Sequence, residues 1–368
     1  MTLEKKLEGL RKHIKSEHLS MSIGELAGIY ERGELDLHPK FQRFLRWGDE
    51  QKTKLVESII LRIPVPPIFV AQDDEGKWDV VDGLQRLGTL FEFMGLLKDE
   101  NEKLEPPLCL LGTERLPELS GYQFSRGSKT FAVPQQLDFK RSRLDLNIVL
   151  SESDPTVKFE LFERLNTGGS NASAQEVRNC ILVWLNEAFY DWFHRDLVEN
   201  SDFKSCVQLT ERLEDQQYRS ELVLRFLALS RTDDSSLSNI DDIGDFLNRQ
   251  NRDMAKDQTF DTVAAARVFQ RTFKIINEAV GLDGFRKFDS SKNAYQGPFL
   301  ISAFEAVALG VAHNLDSWSA RSHDRTKLKN KIERLWSQRE FINHVGIGVP
   351  ARSRIRHSIP FSRDYFQR

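Results

Sequence analysis

Cysteine is scarce, with three in 368 residues. Cys109, Cys180 and Cys206 show no CxxC spacing and no neighbouring histidine cluster, which argues against a zinc module and against a disulfide-stapled secreted scaffold. The expectation is a reduced, cytoplasmic protein. Long apolar runs are also missing, and none approaches the roughly 18 to 20 residues that a membrane-spanning helix needs. The first twenty residues are rich in Lys and Glu and lack the apolar centre of a signal peptide, so neither secretion nor membrane embedding is expected. There is no GxxxxGK[ST] loop, no GxGxxG after a strand, no HExxH and no GxSxG. Nor does charge of one sign dominate, since the formal net charge of −3 exerts no overall pull towards nucleic acid. Its distribution is uneven: residues 321–368 hold twelve Lys or Arg against four Asp or Glu, making the C-terminal end a candidate basic surface.

What is present is an ordinary globular composition, 40% hydrophobic and 29% charged, in a chain long enough for two domains. Strand signals are concentrated before Asp154-Pro155 and helical ones after it. The reading is an α+β domain over residues 1–155, followed by a mainly α-helical domain over 156–368. No internal repeat is evident.

Ser22-Ile23-Gly24-Glu25 has capping-box form and opens a helix that Gly33 stops. An extended stretch follows to Pro39, and then a helix from Asp49 to about Leu61, with Leu55, Val56, Ile59 and Ile60 on one face. Prolines 64, 66 and 67 end it and lead into the strand Ile68-Phe69-Val70-Ala71. A polar turn at 73–76 joins that strand, hairpin-fashion, to Trp78-Asp79-Val80-Val81-Asp82. Leu84, Leu87, Leu90, Phe91 and Met94 then repeat at helical spacing, leaving Gln85, Arg86 and Thr89 to face elsewhere. Residues 101–139 read as irregular, and 144–150 as one more half-buried strand. Beyond 155 the pattern predicts amphipathic helices, including 211–229 and 262–280, with polar breaks at 232–238 and 289–296.

Three constellations could carry chemistry. The first is the strand-turn-helix at Asp82-Gly83-Leu84-Gln85-Arg86. Gly83 can take a positive φ, Asp82 can cap the following helix, and Gln85 and Arg86 fall in its first turn, where the helix dipole favours an anion. Gln42-Arg43, between aromatic neighbours, offers a second arginine that suits a polyphosphate. The plain alternative is a good turn with Arg86 covering apolar surface. The second constellation is Phe162-Glu163-Arg164-Leu165-Asn166-Thr167-Gly168-Gly169, a helix end whose Asn166 and Thr167 would approach the ligand, or simply a helical corner with good caps. The third is Glu211-Arg212-Leu213-Glu214-Asp215 with Glu221 and Arg225, whose spacing favours solvated ion pairs. His357-Ser358-Ile359-Pro360 resembles the start of a His-Asn-His nuclease motif, but eleven residues from the end of the sequence it reads as a surface histidine.

The order Gln42-Arg43, Trp47, Ser58 with Ile63-Pro64-Val65-Pro66-Pro67, and Val81-Asp82-Gly83-Leu84-Gln85-Arg86-Leu87 resembles the N-terminal domain of GmrSD-type restriction endonucleases. The resemblance continues through 162–169, Arg212-Leu213-Glu214-Asp215 and Leu224-Arg225-Phe226, about residues 20 to 230 in all. It implies a ParB/sulfiredoxin-like first domain with a helical domain behind it. It also implies binding and hydrolysis of a nucleoside triphosphate with Mg²⁺, within prokaryotic restriction of modified or foreign DNA. Carried over, Asp82, Gln85 and Arg86 would be the catalytic set, with Asp82 as the Mg²⁺ ligand. Gln42, Arg43, Gly83, Asn166 and Thr167 would bind the nucleotide. The family usually has Gln where this chain has Leu84, and loss of that amide weighs against hydrolysis more than against binding.

The leading expectation is therefore a nucleotide-binding, potentially NTP-hydrolysing, regulatory or sensor subunit of a restriction or anti-phage system. It would not itself be a nuclease, because long family members place their nuclease domain beyond this length, and DNA cleavage would fall to a separately encoded nuclease or toxin. One rival is a ParB-like DNA-binding module without turnover, using Arg352, Arg354, Arg356 and Arg363 on phosphates. The other is an antitoxin-like partner of a toxic nuclease.

Overall fold

A computed structural model of the chain describes residues 15–37, 47–99, 102–153, 173–318, 322–346 and 348–368. Its contacts divide it into two units, Met1–Ala172 and Ser173–Arg368. The boundary predicted near residue 155 lies outside the described residues.

The first unit is α+β. Its elements run β1 (Ser16–Ser22), α1 (Ile23–Glu31), β2 (Leu35–Asp36), α2 (Asp49–Ile60), β3 (Ile68–Gln72), β4 (Trp78–Asp82), α3 (Leu84–Met94), β5 (Tyr122–Gln123), β6 (Lys129–Thr130), α4 (Val133–Arg141) and β7 (Arg143–Val149). Five strands form a mixed sheet in the order β1-β7-β3-β4-β2. β3 runs antiparallel to β4, as the hairpin predicts, and parallel to β7. β1 was not foreseen. Its apolar residues are only Leu19 and Met21, of which only Met21 is buried, so pairing with β7 from Ser16 opposite Val149 to Ser22 opposite Arg143 is what holds it extended. Ser22 then caps α1 by accepting from the Glu25 amide at 3.2 Å.

α3 is buried nearly all round, with Leu87, Leu90, Phe91 and Phe93 fully inside. The region read as irregular supplies part of that cover. Phe124, Phe131 and Phe139 meet Phe93 edge-on with ring centroids 5.5, 5.3 and 5.3 Å away, a geometry that adds to plain burial. For the same reason Thr89, expected to face outward, is buried and donates through Oγ1 to the Gln85 carbonyl at 2.6 Å.

The second unit is mainly helical: α5 (Ala174–Leu185), α6 (Glu187–Trp192), α7 (Ser201–Cys206), α8 (Glu211–Asp215), α9 (Tyr218–Ser230), α10 (Asp234–Leu237), α11 (Ile243–Lys256), α12 (Thr262–Val280), then α13 (Ile301–His313), α14 (Ser322–Leu335), α15 (Arg339–Val345) and α16 (Ala351–Tyr365). α9 and α13 are apolar on almost every side and form its centre. Their Phe226 and Phe304 join Phe203, Phe269, Phe273 and Phe285 in one aromatic core. The helix predicted over 211–229 is two helices. Gln217 takes φ 57° between them, and Arg219 turns back to pair with Glu214 and donate to the Val207 carbonyl at 3.1 Å. The polar break at 289–296 is a small hairpin, β8 (Lys287–Asp289) against β9 (Ala294–Gln296).

All three cysteines are unpaired. Cys109 is exposed, while Cys180 and Cys206 are buried, which pushes their thiols up and makes them unreactive core residues. Among the described residues no helix is long and apolar enough to cross a membrane.

Candidate functional site

The turn between β4 and α3 is built by its glycine. Gly83 sits at φ 101° and ψ 10°, a left-handed conformation costly for any residue with a Cβ. A Cβ there would also lie 2.4 Å from Ile68 Cδ1 on the neighbouring strand. Immediately before the turn the β3–β4 register shifts between Phe69 and Val70, so Phe69 faces Asp82 while Val70 faces Val80. Such a bulge re-aims the side chain beside it, and here that side chain is Asp82.

Asp82 does not cap α3, contrary to the sequence reading; the N-cap is Gly83, and among the described residues no side chain makes a capping hydrogen bond. Asp82 Oδ2 instead accepts from Arg86 Nη2 at 2.8 Å, one helical turn on. The same guanidinium donates through Nη1 to the Pro67 carbonyl at 3.2 Å and to the Pro66 carbonyl. Rigid prolines, a carboxylate and the start of a helix are thus tied together by one arginine. Burial lowers the pKa of Arg86 and Asp82 partly restores it, yet a guanidinium remains charged at any working pH. The result is a partly desolvated Arg86–Asp82 pair at the positive end of a helix that, among the described residues, no side chain caps.

Gln85 is not aimed at a ligand through its carbonyl. Its Oε1 accepts from the Trp47 amide at 3.1 Å, fixing the point at which the chain leads into α2. Leu84 is buried in the core of the unit and presents no polar group to the turn. Gln42, Arg43, Asn166 and Thr167 lie outside the described residues. Asp82 offers a Mg²⁺ ion one carboxylate, already paired with Arg86, and among the described residues no group of three or more His, Cys, Asp or Glu could hold a metal ion.

The C-terminal arginines do not converge on one surface. Arg354 grips Glu305 with Nε to Oε2 at 2.7 Å and Nη2 to Oε1 at 3.2 Å. Arg363, buried, donates to the Leu229 and Thr232 carbonyls and pairs with Asp234. Arg352 pairs with Asp241 at 2.8 Å, and Arg356 donates to the Ser238 carbonyl. His357 is exposed and stacks on His344, centroids 4.1 Å apart.

Part of the third constellation is not solvated. Arg225 is buried between Glu221 and Glu305, with Nε to Glu221 Oε1 at 2.9 Å and Nη1 to Glu305 Oε1 at 3.0 Å. Glu221 also accepts from Arg178 Nη1 at 3.2 Å. Burial works against the charge on Arg225, but the Glu305 and Glu221 carboxylates outweigh it and hold the guanidinium above its ordinary pKa. Sequence reasoning missed Arg178 and Glu305. A signal existed for Glu305, a lone acid within the otherwise apolar run of α13.

Residues 23–183 match the family model of the GmrSD restriction endonuclease, N-terminal domain. No curated protein and no solved structure matches the chain.

Proposed function

Starting from residues 23–183 as a GmrSD restriction endonuclease N-terminal domain, we propose that this protein is a nucleotide-binding regulatory component of a prokaryotic DNA-restriction system. The nucleotide's phosphates would sit at the turn between β4 and α3. One observation carries the reading: an arginine pre-aimed by the Pro66 and Pro67 carbonyls and paired with Asp82, at a helix start that no side chain among the described residues caps. An incoming phosphate would take over from Asp82 as the acceptor of Arg86, and a Mg²⁺ ion carried with a triphosphate would be met by the released carboxylate. Such a site positions and neutralises phosphates, which is most of what phosphoryl chemistry asks of a protein. With Leu84 in the core, binding is supported better than rapid hydrolysis.

The test is nucleotide-dependent stabilisation of the full chain in Mg²⁺, following melting temperature and calorimetric affinity together. Wild type should bind ATP or another NTP, and Arg86→Ala should bind it at least about tenfold more weakly, the cost of one charge-assisted contact. Melting without nucleotide separates lost binding from lost anchoring of the proline corner. Stabilisation of equal size in Arg86→Ala would exclude this site.

A further inference from the structure

The five-stranded sheet of the first unit ends on β1, whose outer side pairs with no strand among the described residues. Hydrogen bonds at the two ends of the β1–β7 ladder fix which backbone groups face outward. The Leu150 amide donates to the Lys15 carbonyl at 3.0 Å and the Ile23 amide to the Ser142 carbonyl at 2.9 Å, in the register that sets Leu19 opposite Leu146. Residues in an antiparallel pair alternate between bonded and non-bonded positions. Glu17, Leu19 and Met21 therefore turn their N–H and C=O groups towards β7, while Ser16, His18 and Ser20 turn theirs away from the sheet. Among the described residues no backbone group meets these outward groups, and the one side-chain contact to them is long, Arg143 Nη1 to the Ser20 carbonyl at 3.4 Å.

Sheet edges are commonly protected by Lys, by Pro, by a bulge or by shortness. β1 has none of these devices: it is seven residues long, holds neither Lys nor Pro, and keeps an unbroken register with β7. Every residue from Ser16 to Ser20 is exposed. Leu19 is 42% exposed although Leu146 opposite it is fully buried, so an apolar row of the sheet runs one strand past the core and stops at an open edge. A second copy of the same strand fits this edge. In the antiparallel register that pairs all seven residues, the two-fold axis passes through Leu19. The outward groups of His18 then meet those of the second copy's Ser20 as a bonded pair, and the two Leu19 side chains meet at a non-bonded position, where side chains stand closest. Glu17 falls opposite Met21, so no two like charges are opposed.

We propose that two copies of this chain pair through β1, joining their sheets into one continuous sheet about a two-fold axis at Leu19. Strand pairing supplies the attachment, and each Leu19 covers the open side of the other. Sedimentation velocity of the full chain over about 1–200 μM, the affinity range open to an interface of modest quality, gives the measurement. Wild type should shift from its 42.5 kDa monomer towards twice that mass as concentration rises. Ser20→Pro removes an outward N–H that β7 does not use, a change an edge strand tolerates, and should remain monomeric while keeping its fold by far-UV circular dichroism. Leu19→Lys and Leu19→Glu should each remain monomeric alone, because like charges would face each other across the axis. An equimolar mixture of the two should associate, because opposite charges would then meet. That recovery requires position 19 to oppose itself, so it reads the register as well as the surface. The proposal is overturned if wild type stays monomeric throughout, if its dimer survives both Ser20→Pro and Leu19→Lys, or if the mixture associates no better than either charged variant alone.

Discussion

A Glu305→Gln variant is expected to lose about 3–5 kcal/mol of stability, the range seen when one partner of a buried ion pair is removed. Glu305 is completely inaccessible to solvent, and both of its carboxylate oxygens are used, Oε1 by Arg225 and Arg354 and Oε2 by Arg354 alone. Glutamine keeps the shape but cancels the charge and turns one acceptor into a donor, so Arg354 loses its carboxylate partner and Arg225 is left to share Glu221 with Arg178. Buried cations without counter-charge are what the interior tolerates least. Urea unfolding followed by tryptophan fluorescence gives the measurement, since four of the six tryptophans, Trp184, Trp192, Trp318 and Trp336, lie in the helical unit. The combined change Arg225→Met, Glu305→Leu and Arg354→Met should recover much of the loss, because it removes two cations and one anion together and leaves the charge-balanced Arg178–Glu221 pair. A single variant as stable as wild type would mean that the network contributes nothing to the fold.

That network shows where sequence reading reaches its limit. Glu221 and Arg225 are four apart, a spacing shared by exposed pairs and by buried ones, and only the arrival of Glu305 from eighty residues away decides between them. The C-terminal helix makes the same point. Its arginines sum to a basic end of the sequence, yet Arg354 and Arg363 lie on the same side of α16 as buried Ile355, Ser358 and Ile359 and are consumed by internal partners. A count of charges is blind to the face each one occupies. By contrast, β3, β4 and α3 were legible because the apolar period switches from two to 3.6 at one Asp-Gly pair. Even there the local signal gave only the turn. That Asp82 pairs with Arg86 instead of capping the helix follows from the proline carbonyls and the bulge, which lie on other segments.

Gly83→Ala should cost roughly 2–4 kcal/mol and weaken nucleotide binding along with stability. The first part of the cost is conformational, about 1 kcal/mol for placing a Cβ at positive φ. The second is steric, since the new methyl would lie 2.4 Å from Ile68 Cδ1 and 3.3 Å from Ile68 Cγ2, and Ile68 is fully buried in β3 with no room to retreat. The two parts can be separated. Ile68→Val deletes the Cδ1 carbon and leaves the turn unchanged, at a cost of about 0.5–1.5 kcal/mol by itself. If the clash dominates, adding Gly83→Ala to Ile68→Val should cost at least about 1 kcal/mol less than adding it to wild type. Additive costs would assign the whole effect to the backbone. A Cβ on Gly83 would stand 3.4 Å from Arg86 Nη2, an ordinary contact, so any loosening of the Asp82–Arg86 pair would come through the backbone of the turn. The double variant, with stability partly restored, then reads the site directly. Nucleotide affinity that recovers in step with stability makes Gly83 a structural glycine, whereas affinity that stays low shows that the turn's backbone path is itself part of the phosphate site.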